Sequence, residues 1–202
     1  MPEIGLDAVP EPESTDPDSG ATNEPGAALP IAGIHAGSVR RYNLVPMKRL
    51  YLAGGLFNAA ERVHNLYLER YLSELGYELI LPQREALKFQ TATGFDVDAI
   101  VRDCQRACID QNTTFVGCID GADADSGTCV EYGMALMATG RALVYRTDFR
   151  TAEEKEVGVN AMLRAPGTVF VYEPSFFTEV TEVEPFYRRL ASRIHEALGK
   201  IH

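Results

Sequence analysis

Thr114-Phe115-Val116-Gly117-Cys118-Ile119, followed at once by Asp120-Gly121-Ala122-Asp123-Ala124-Asp125-Ser126-Gly127-Thr128-Cys129-Val130-Glu131-Tyr132-Gly133-Met134-Ala135, decides how this chain is read. The first six residues form an apolar run bounded by turn formers, the pattern of a buried strand. The small-residue segment Val130 to Thr139 reads as a helix ended by Gly140. Asp123, Asp125 and Glu131 are thereby gathered between the carboxyl end of a strand and the start of a helix, where open α/β sheets bind ligands. Crowded carboxylates repel one another, and a chain retains that cost most readily where it does chemistry. Thr128-x-x-Glu131 also fits a capping box, in which both side chains would serve backbone N–H groups at the helix start. A cap accounts for neither the two aspartates nor the glycine in the same loop.

Working outward, strands and helices alternate. Leu50–Ala53, Tyr77–Leu81, Thr114–Ile119, Ala142–Tyr145 and Thr168–Tyr172 read as strands. Between them, Asn58 or Ala59 to Leu75 carries Val63, Leu66, Tyr67, Tyr71, Leu72 and Leu75 at helical spacing, and Gly76 ends it. Asp96 is placed to cap a helix running to about Asn112. Ala152–Leu163 and Val183–Leu198 complete the helices. Strands separated by helices imply an α/β fold: a flavodoxin-like, doubly wound, five-stranded parallel sheet of order 2-1-3-4-5 with helices on both faces. The first loop, Gly54-Gly55-Leu56-Phe57-Asn58, lacks the Gly-x-Gly-x-x-Gly of a dinucleotide site.

The chain has 202 residues, 46% of them hydrophobic, enough for one well-buried domain. Residues 1–46 are acidic and rich in Pro, Gly and Ala, without Phe or Trp, and bury too little apolar surface to offset ordering; they read as a disordered extension before a catalytic domain at 47–202. No apolar run reaches the roughly 18 residues of a membrane span, and the amino terminus has neither a secretory nor a transit pattern. Cys104, Cys108, Cys118 and Cys129 form no Cys-x-x-Cys pair and no zinc set, so reduced thiols, a cytoplasmic location and no metal or cofactor are expected. A net charge of −10 opposes nonspecific nucleic-acid binding.

Tyr51 near the end of the first strand, Asp103 on the inward side of the second helix, and Asp125 and Glu131 converge on the cleft of this topology. At these residues the chain resembles the nucleoside 2-deoxyribosyltransferase family, over Lys48 to about Glu173. The matching blocks are Leu50-Tyr51-x-Ala53-Gly54 followed by Phe57; Ile100-Val101-x-Asp103; Gly117-x-Ile119-Asp120-Gly121; Asp125-Ser126-Gly127-Thr128-x-x-Glu131-x-Gly133-x-Ala135; Tyr145-x-x-Asp148-x-Arg150; and Val159-Asn160-x-Met162. The resemblance implies exchange of nucleobases on 2′-deoxyribonucleosides. Glu131 would be the nucleophile that forms a deoxyribosyl ester with net retention, kept ionised by the nearby helix start, and Tyr51 would orient it. Asp103 would move the proton to and from the base. Asp125 would bind the sugar 3′-hydroxyl, Phe57 would lie against the base, and Gly54 would border the substrate. Asn160 would reach the 5′-hydroxyl from a neighbouring subunit, which implies a homo-oligomer; capping within its own loop is the alternative for that amide.

The Asp-Ser-Gly-Thr-x-x-Glu block is shared with 5′-nucleotide N-glycosidases, for which Ser126, Thr128 and Arg150 would supply a phosphate site. A non-catalytic nucleotide-sensing module is the reading from another class. The chain's end, Leu198 to His202, carries no tyrosine for the role that a terminal tyrosine has in some relatives. Asp148 and Arg150 match a family block, with a fold-holding ion pair as their default role.

Overall fold

The computed structural model describes residues 48–152, 156–157 and 159–201. The extension expected at 1–46 lies outside them. Its sheet is built from β1 (Arg49–Ala53), β2 (Glu78–Ile80), β3 (Thr113–Cys118), β4 (Ala142–Arg146) and β5 (Thr168–Tyr172). All pairs are parallel, and the order is β2-β1-β3-β4-β5, the flavodoxin-like order expected.

Alternation along each strand divides the core in two. Leu50, Leu52, Leu143 and Tyr145 face a layer built by α1 (Ala59–Glu74) and, at the chain's end, a second helix over Val183–Leu198. Tyr51, Ala53, Ala142 and Val144 face the opposite layer, built by α2 (Val97–Cys108) and α3 (Ser126–Thr139). We name the last helix α4. Each start has a local cause. Asn58 and Glu61 form a capping box, and Asp96 accepts a bond from Ala99 N at 2.9 Å. α3 ends at Gly140, whose φ of 71° is the left-handed turn that glycine makes freely.

Three local expectations are corrected. α2 stops at Cys108 rather than Asn112, because Asp110 turns back to accept from Asn112 N at 3.0 Å. α3 begins at Ser126, ahead of Thr128, because Asp125 is the cap. Ala152–Leu163 is not one helix. Thr151–Ala152 pairs antiparallel with Glu156–Val157, and Asn160 caps a single 3₁₀ turn at Ala161–Arg164. Asn160 itself is extended (φ −55°, ψ 129°), which interrupts any helix there. Between β2 and α2 the chain makes a short helix at Pro82–Glu85, a 3₁₀ turn at Ala86–Phe89 and a small ribbon, Gln90–Thr91 with Gly94–Phe95.

A half-buried imidazole ties the α1–α4 layer to the sheet. His64 Nε2 lies 2.9 Å from the Tyr145 hydroxyl, and Nδ1 lies 2.9 Å from that of Tyr187. Burial pushes its pKa below the ordinary value of 6.5, with Asp120 opposing in part. The sign follows: below the ordinary value the unfolded chain takes up a proton that folded His64 refuses, so this residue's contribution is intact at higher pH and is lost as pH falls. His64→Gln is therefore expected to show a smaller loss of melting temperature than the parent between about pH 8 and about pH 5. Parallel losses in the two proteins would refute it.

Candidate active site

β1 ends beside β3 with Tyr51 paired to Phe115 and Ala53 to Gly117. The Tyr51 ring stacks on Phe115, with centroids 6.2 Å apart, and is wholly buried. Its hydroxyl donates to Glu131 Oε1 at 2.7 Å across the layer between sheet and α3. Glu131 therefore takes no part in a capping box with Thr128. The cap is Asp125, whose Oδ2 accepts from Thr128 N at 2.8 Å and from Thr128 Oγ1 at 3.0 Å.

This shift changes the electrostatics expected at Glu131. With α3 starting at Ser126, Glu131 lies in the second turn, and the helix-terminus field has faded there. Burial instead raises its pKa, the Tyr51 hydrogen bond opposes that rise, and Asp125 adds to it. The Tyr51 hydroxyl is pushed far up by its own burial and by Glu131, so it stays a donor at all ordinary pH.

A cavity of about 630 Å³ opens onto the Glu131 side of this pair, bordered by Gly54, Phe57, Gln83, Cys104, Asp125 and Glu131 among others. Its outer wall is largely apolar, with Leu56, Pro82, Leu87, Phe95 and Ile100, and Arg62 borders it with Nη1 given to the Leu56 carbonyl at 3.2 Å. Phe57 is 81% exposed at the mouth. At Gly54 a Cβ would come within 3.1 Å of Cys118 Cβ, so a side chain there would crowd the strand beneath. On its other side Asp125 borders a second chamber of about 640 Å³ with Glu61, His64, Asn65, Asp120 and Asp123.

Two expected members stand apart. Asp103 is not among the residues lining the Glu131 cavity; its carboxylate meets Arg106 at 3.3 Å, while its helix neighbours Ile100 and Cys104 line the wall. Asn160 borders a separate cavity of about 340 Å³, and its Oδ1 accepts from Met162 N at 3.0 Å, the capping alternative foreseen for it.

The loop between β3 and α3 is held by Asp120 and by the expected Asp148–Arg150 ion pair, together with Arg146, Thr147 and Asn65, which sequence patterns did not mark. Asp120 accepts from Thr147 N at 2.6 Å, from Asp148 N at 2.9 Å and from the Thr147 hydroxyl. Arg146, almost fully buried, donates to the carbonyls of Ile119 at 2.7 Å and Gly121 at 3.1 Å. Asp148 pairs with Arg150 and accepts from Gly121 N at 3.1 Å; the Arg150 guanidinium holds its carboxyl well below the usual carboxylate range. Asn65 donates to the Gly55 carbonyl at 3.0 Å and to Gln83 Oε1 at 3.0 Å, tying the first loop to the cavity wall. Among the described residues no cluster of His, Cys, Asp or Glu is arranged to hold a metal ion, and no helix is long and apolar enough to cross a membrane.

Two substitutions test this geometry without any assay of activity. Tyr51→Phe removes the bond that lowers the Glu131 pKa, so its carboxyl, followed by carbon-detected NMR, is expected to titrate at higher pH than in the parent. An unmoved midpoint would mean that the bond is not formed in solution. Asp125→Ala deletes the cap of α3 and should lower stability to urea by about 0.5–2 kcal/mol.

The family model for nucleoside 2-deoxyribosyltransferase matches residues 50–162, which hold Tyr51 and every residue lining the Glu131 cavity. Among solved structures, a conserved protein from Enterococcus faecalis V583 is 20% identical with a TM-score of 0.53, the match covering 74% of this chain and 98% of that one. A 2-deoxyribosyltransferase from the psychrotolerant bacterium Bacillus psychrosaccharolyticus is also 20% identical, with a TM-score of 0.44, covering 67% of this chain and 90% of that one. No curated protein matches the chain. The first structure supports the fold; the family model, which spans more than half of the sequence and includes Tyr51, Asp125 and Glu131, supports more. The chain belongs to the nucleoside 2-deoxyribosyltransferase family.

Proposed function

We propose that the protein exchanges nucleobases on 2′-deoxyribonucleosides through a deoxyribosyl ester on Glu131. The observation that carries this reading is the 2.7 Å bond from a buried tyrosine to a carboxylate at the wall of a cavity large enough for a nucleoside. Tyr51 occupies Oε1, which leaves Oε2 to attack C1′. As the C–N bond breaks, its electron pair passes to the base nitrogen and the sugar crosses an oxocarbenium-like state, which the adjacent carboxylate stabilises before closing the ester. An incoming base then attacks C1′ from the face that the first base left, expels the Glu131 carboxylate and restores the original configuration. The apolar wall from Leu56 to Ile100 suits a flat aromatic base and limits competing water.

Asp103 is proposed as the group that protonates the departing base and recovers the proton from the incoming one. Its pair with Arg106 is partly exposed, the two side chains being 32% and 75% accessible, so releasing it toward the base costs little. Asp125 is proposed to hold the 3′-hydroxyl, and Phe57 to cover the base. Asn160 is proposed to contact the 5′-hydroxyl of a substrate held by a neighbouring subunit in a homo-oligomer; within one chain it borders a cavity other than that of Glu131.

The nucleotide N-glycosidase reading needs a phosphate site. Thr128 is spent on Asp125 and Arg150 on Asp148. The chamber beyond Asp125 is bordered by Glu61, Asp120, Asp123 and Asp125, with no Lys or Arg among its described lining residues. Such surroundings favour a neutral sugar over a phosphorylated one.

The test is one chromatographic assay, a deoxynucleoside with and without a second free base. A new deoxynucleoside formed only with the second base is the expected result. Free sugar in both tubes, or cleavage confined to the 5′-monophosphate, would overturn the reading. Glu131→Ala is expected to abolish exchange, and the parent protein quenched in mid-reaction should gain the mass of one deoxyribosyl group at Glu131. The acid limb of the rate should lie above the ordinary glutamate value of 4.5, because burial raises the pKa of the group that must be ionised and activity is lost as pH falls through it.

A further inference from the structure

Arg62 is the one Lys or Arg among the described residues that line the Glu131 cavity. It stands one turn into α1, exposed, and gives Nη1 to the Leu56 carbonyl at 3.2 Å. Its neighbour Glu61 is spent on Phe57 N at 2.8 Å and Asn58 N at 3.3 Å. Among the described residues the Arg62 guanidinium pairs with no carboxylate, so Nε and Nη2 keep their donors for a ligand.

Gln83 adds a second donor. A backbone carbonyl only accepts, so two of them fix the orientation of two buried amides: Asn65 Nδ2 donates to the Gly55 carbonyl at 3.0 Å, and Gln83 Nε2 to the Arg62 carbonyl at 3.3 Å. Asn65 Nδ2 also donates to Gln83 Oε1 at 3.0 Å, which occupies the acceptor of that amide. Among the described residues the other Gln83 N–H has no partner, on a side chain only 7% exposed that borders the cavity. A buried N–H left unpaired is costly, and an acceptor on the ligand removes that cost. Arg62 and Gln83 meet at the Arg62 carbonyl, and both adjoin the apolar wall given to the base, at Leu56 and Pro82.

We propose that Arg62, backed by Gln83, is the specificity-determining residue for the nucleobase. It selects bases with a carbonyl oxygen on the edge remote from the sugar, the 6-oxopurines and 4-oxopyrimidines, over those with an amino group there. The proposal deepens the base-exchange reading and rests on it. With C1′ at Glu131, the glycosidic nitrogen is turned inward and the opposite edge of the base outward, where Arg62 lies exposed. A carbonyl oxygen there accepts from the guanidinium. An amino group sets N–H against N–H and leaves a charged donor unserved. The bond to Leu56 holds the guanidinium before the base arrives, so little freedom is lost on binding. A 5′-phosphate is the other acceptor that suits arginine, but Arg62 is tied to the wall around the base and does not line the acidic chamber beyond Asp125.

Calorimetric titration of free bases into the full-length protein tests this without turnover. The parent is expected to bind hypoxanthine about tenfold more tightly than adenine, Arg62→Ala to bind the two alike, and Arg62→Lys to keep part of the difference, since a point charge replaces the fork. No preference in the parent, or one that survives in Arg62→Ala, would overturn the proposal. So would a parent that binds deoxyadenosine 5′-monophosphate more tightly than deoxyadenosine while Arg62→Ala does not, because the arginine would then serve a phosphate. In base exchange, the ratio of kcat/KM for hypoxanthine over adenine as acceptor should fall about tenfold in Arg62→Ala. An equal loss for both bases would reduce Arg62 to a brace for the Leu56 loop. Should the parent exchange no bases yet show the Arg62-dependent preference in binding, the transferase reading falls and the recognition stands. Exchange without that preference decides the reverse.

Discussion

The hydrogen bond from Tyr51 to Glu131 is the constraint around which the site is arranged. It links an inner strand to a helix well separated in sequence and closes a buried donor on a half-buried acceptor. Either group alone would be costly there, since an unpaired carboxylate or hydroxyl away from water loses its solvation without return. The strand side is held by the parallel register of β1 on β3 and by the stack of Tyr51 on Phe115. The helix side is held by the Asp125 cap, which sets where α3 begins. A shift of either element breaks the pair, so the packing of the sheet and the geometry of the cavity are one problem with one solution.

The acidic loop before α3 would be unstable if its carboxylates faced one another unpartnered. Instead Asp120 and Asp125 are each given separate work, and Asp148, beyond β4, braces the loop from outside. Asp120 receives two backbone N–H groups and a hydroxyl from β4's far end, Asp148 receives the Arg150 guanidinium and Gly121 N, and Asp125 receives Thr128. Arg146 gathers two loop carbonyls from below.

Much of this was legible in the chain. The five strands are visible because each presents apolar residues bounded by turn formers, and Asn58, Asp96 and Gly140 announce helix ends by known chemistry. Gly54, Phe57, Asp125 and Glu131 are brought to one cavity, with Tyr51 buried behind Glu131, because topology places strand ends and helix starts together. Helix phase was not legible to one residue: Cys104 lines the cavity while Asp103 beside it meets Arg106, and Asp125, not Thr128, caps α3. The Asp120–Thr147 latch escaped because its partners lie on different connections, with no periodicity to link them. The wall from Pro82 to Phe95 escaped because such short turns and ribbons take their shape from what they cover.

Because Asp125 both caps α3 and borders the Glu131 cavity, the stretch from Asp125 to Glu131 works as a ruler. An α-helix turns by about 100° per residue, so adding or removing a single residue within that stretch would swing the glutamate off the tyrosine while leaving the cap intact. Length between these two positions is thus a stricter requirement than the identity of the small residues that fill it.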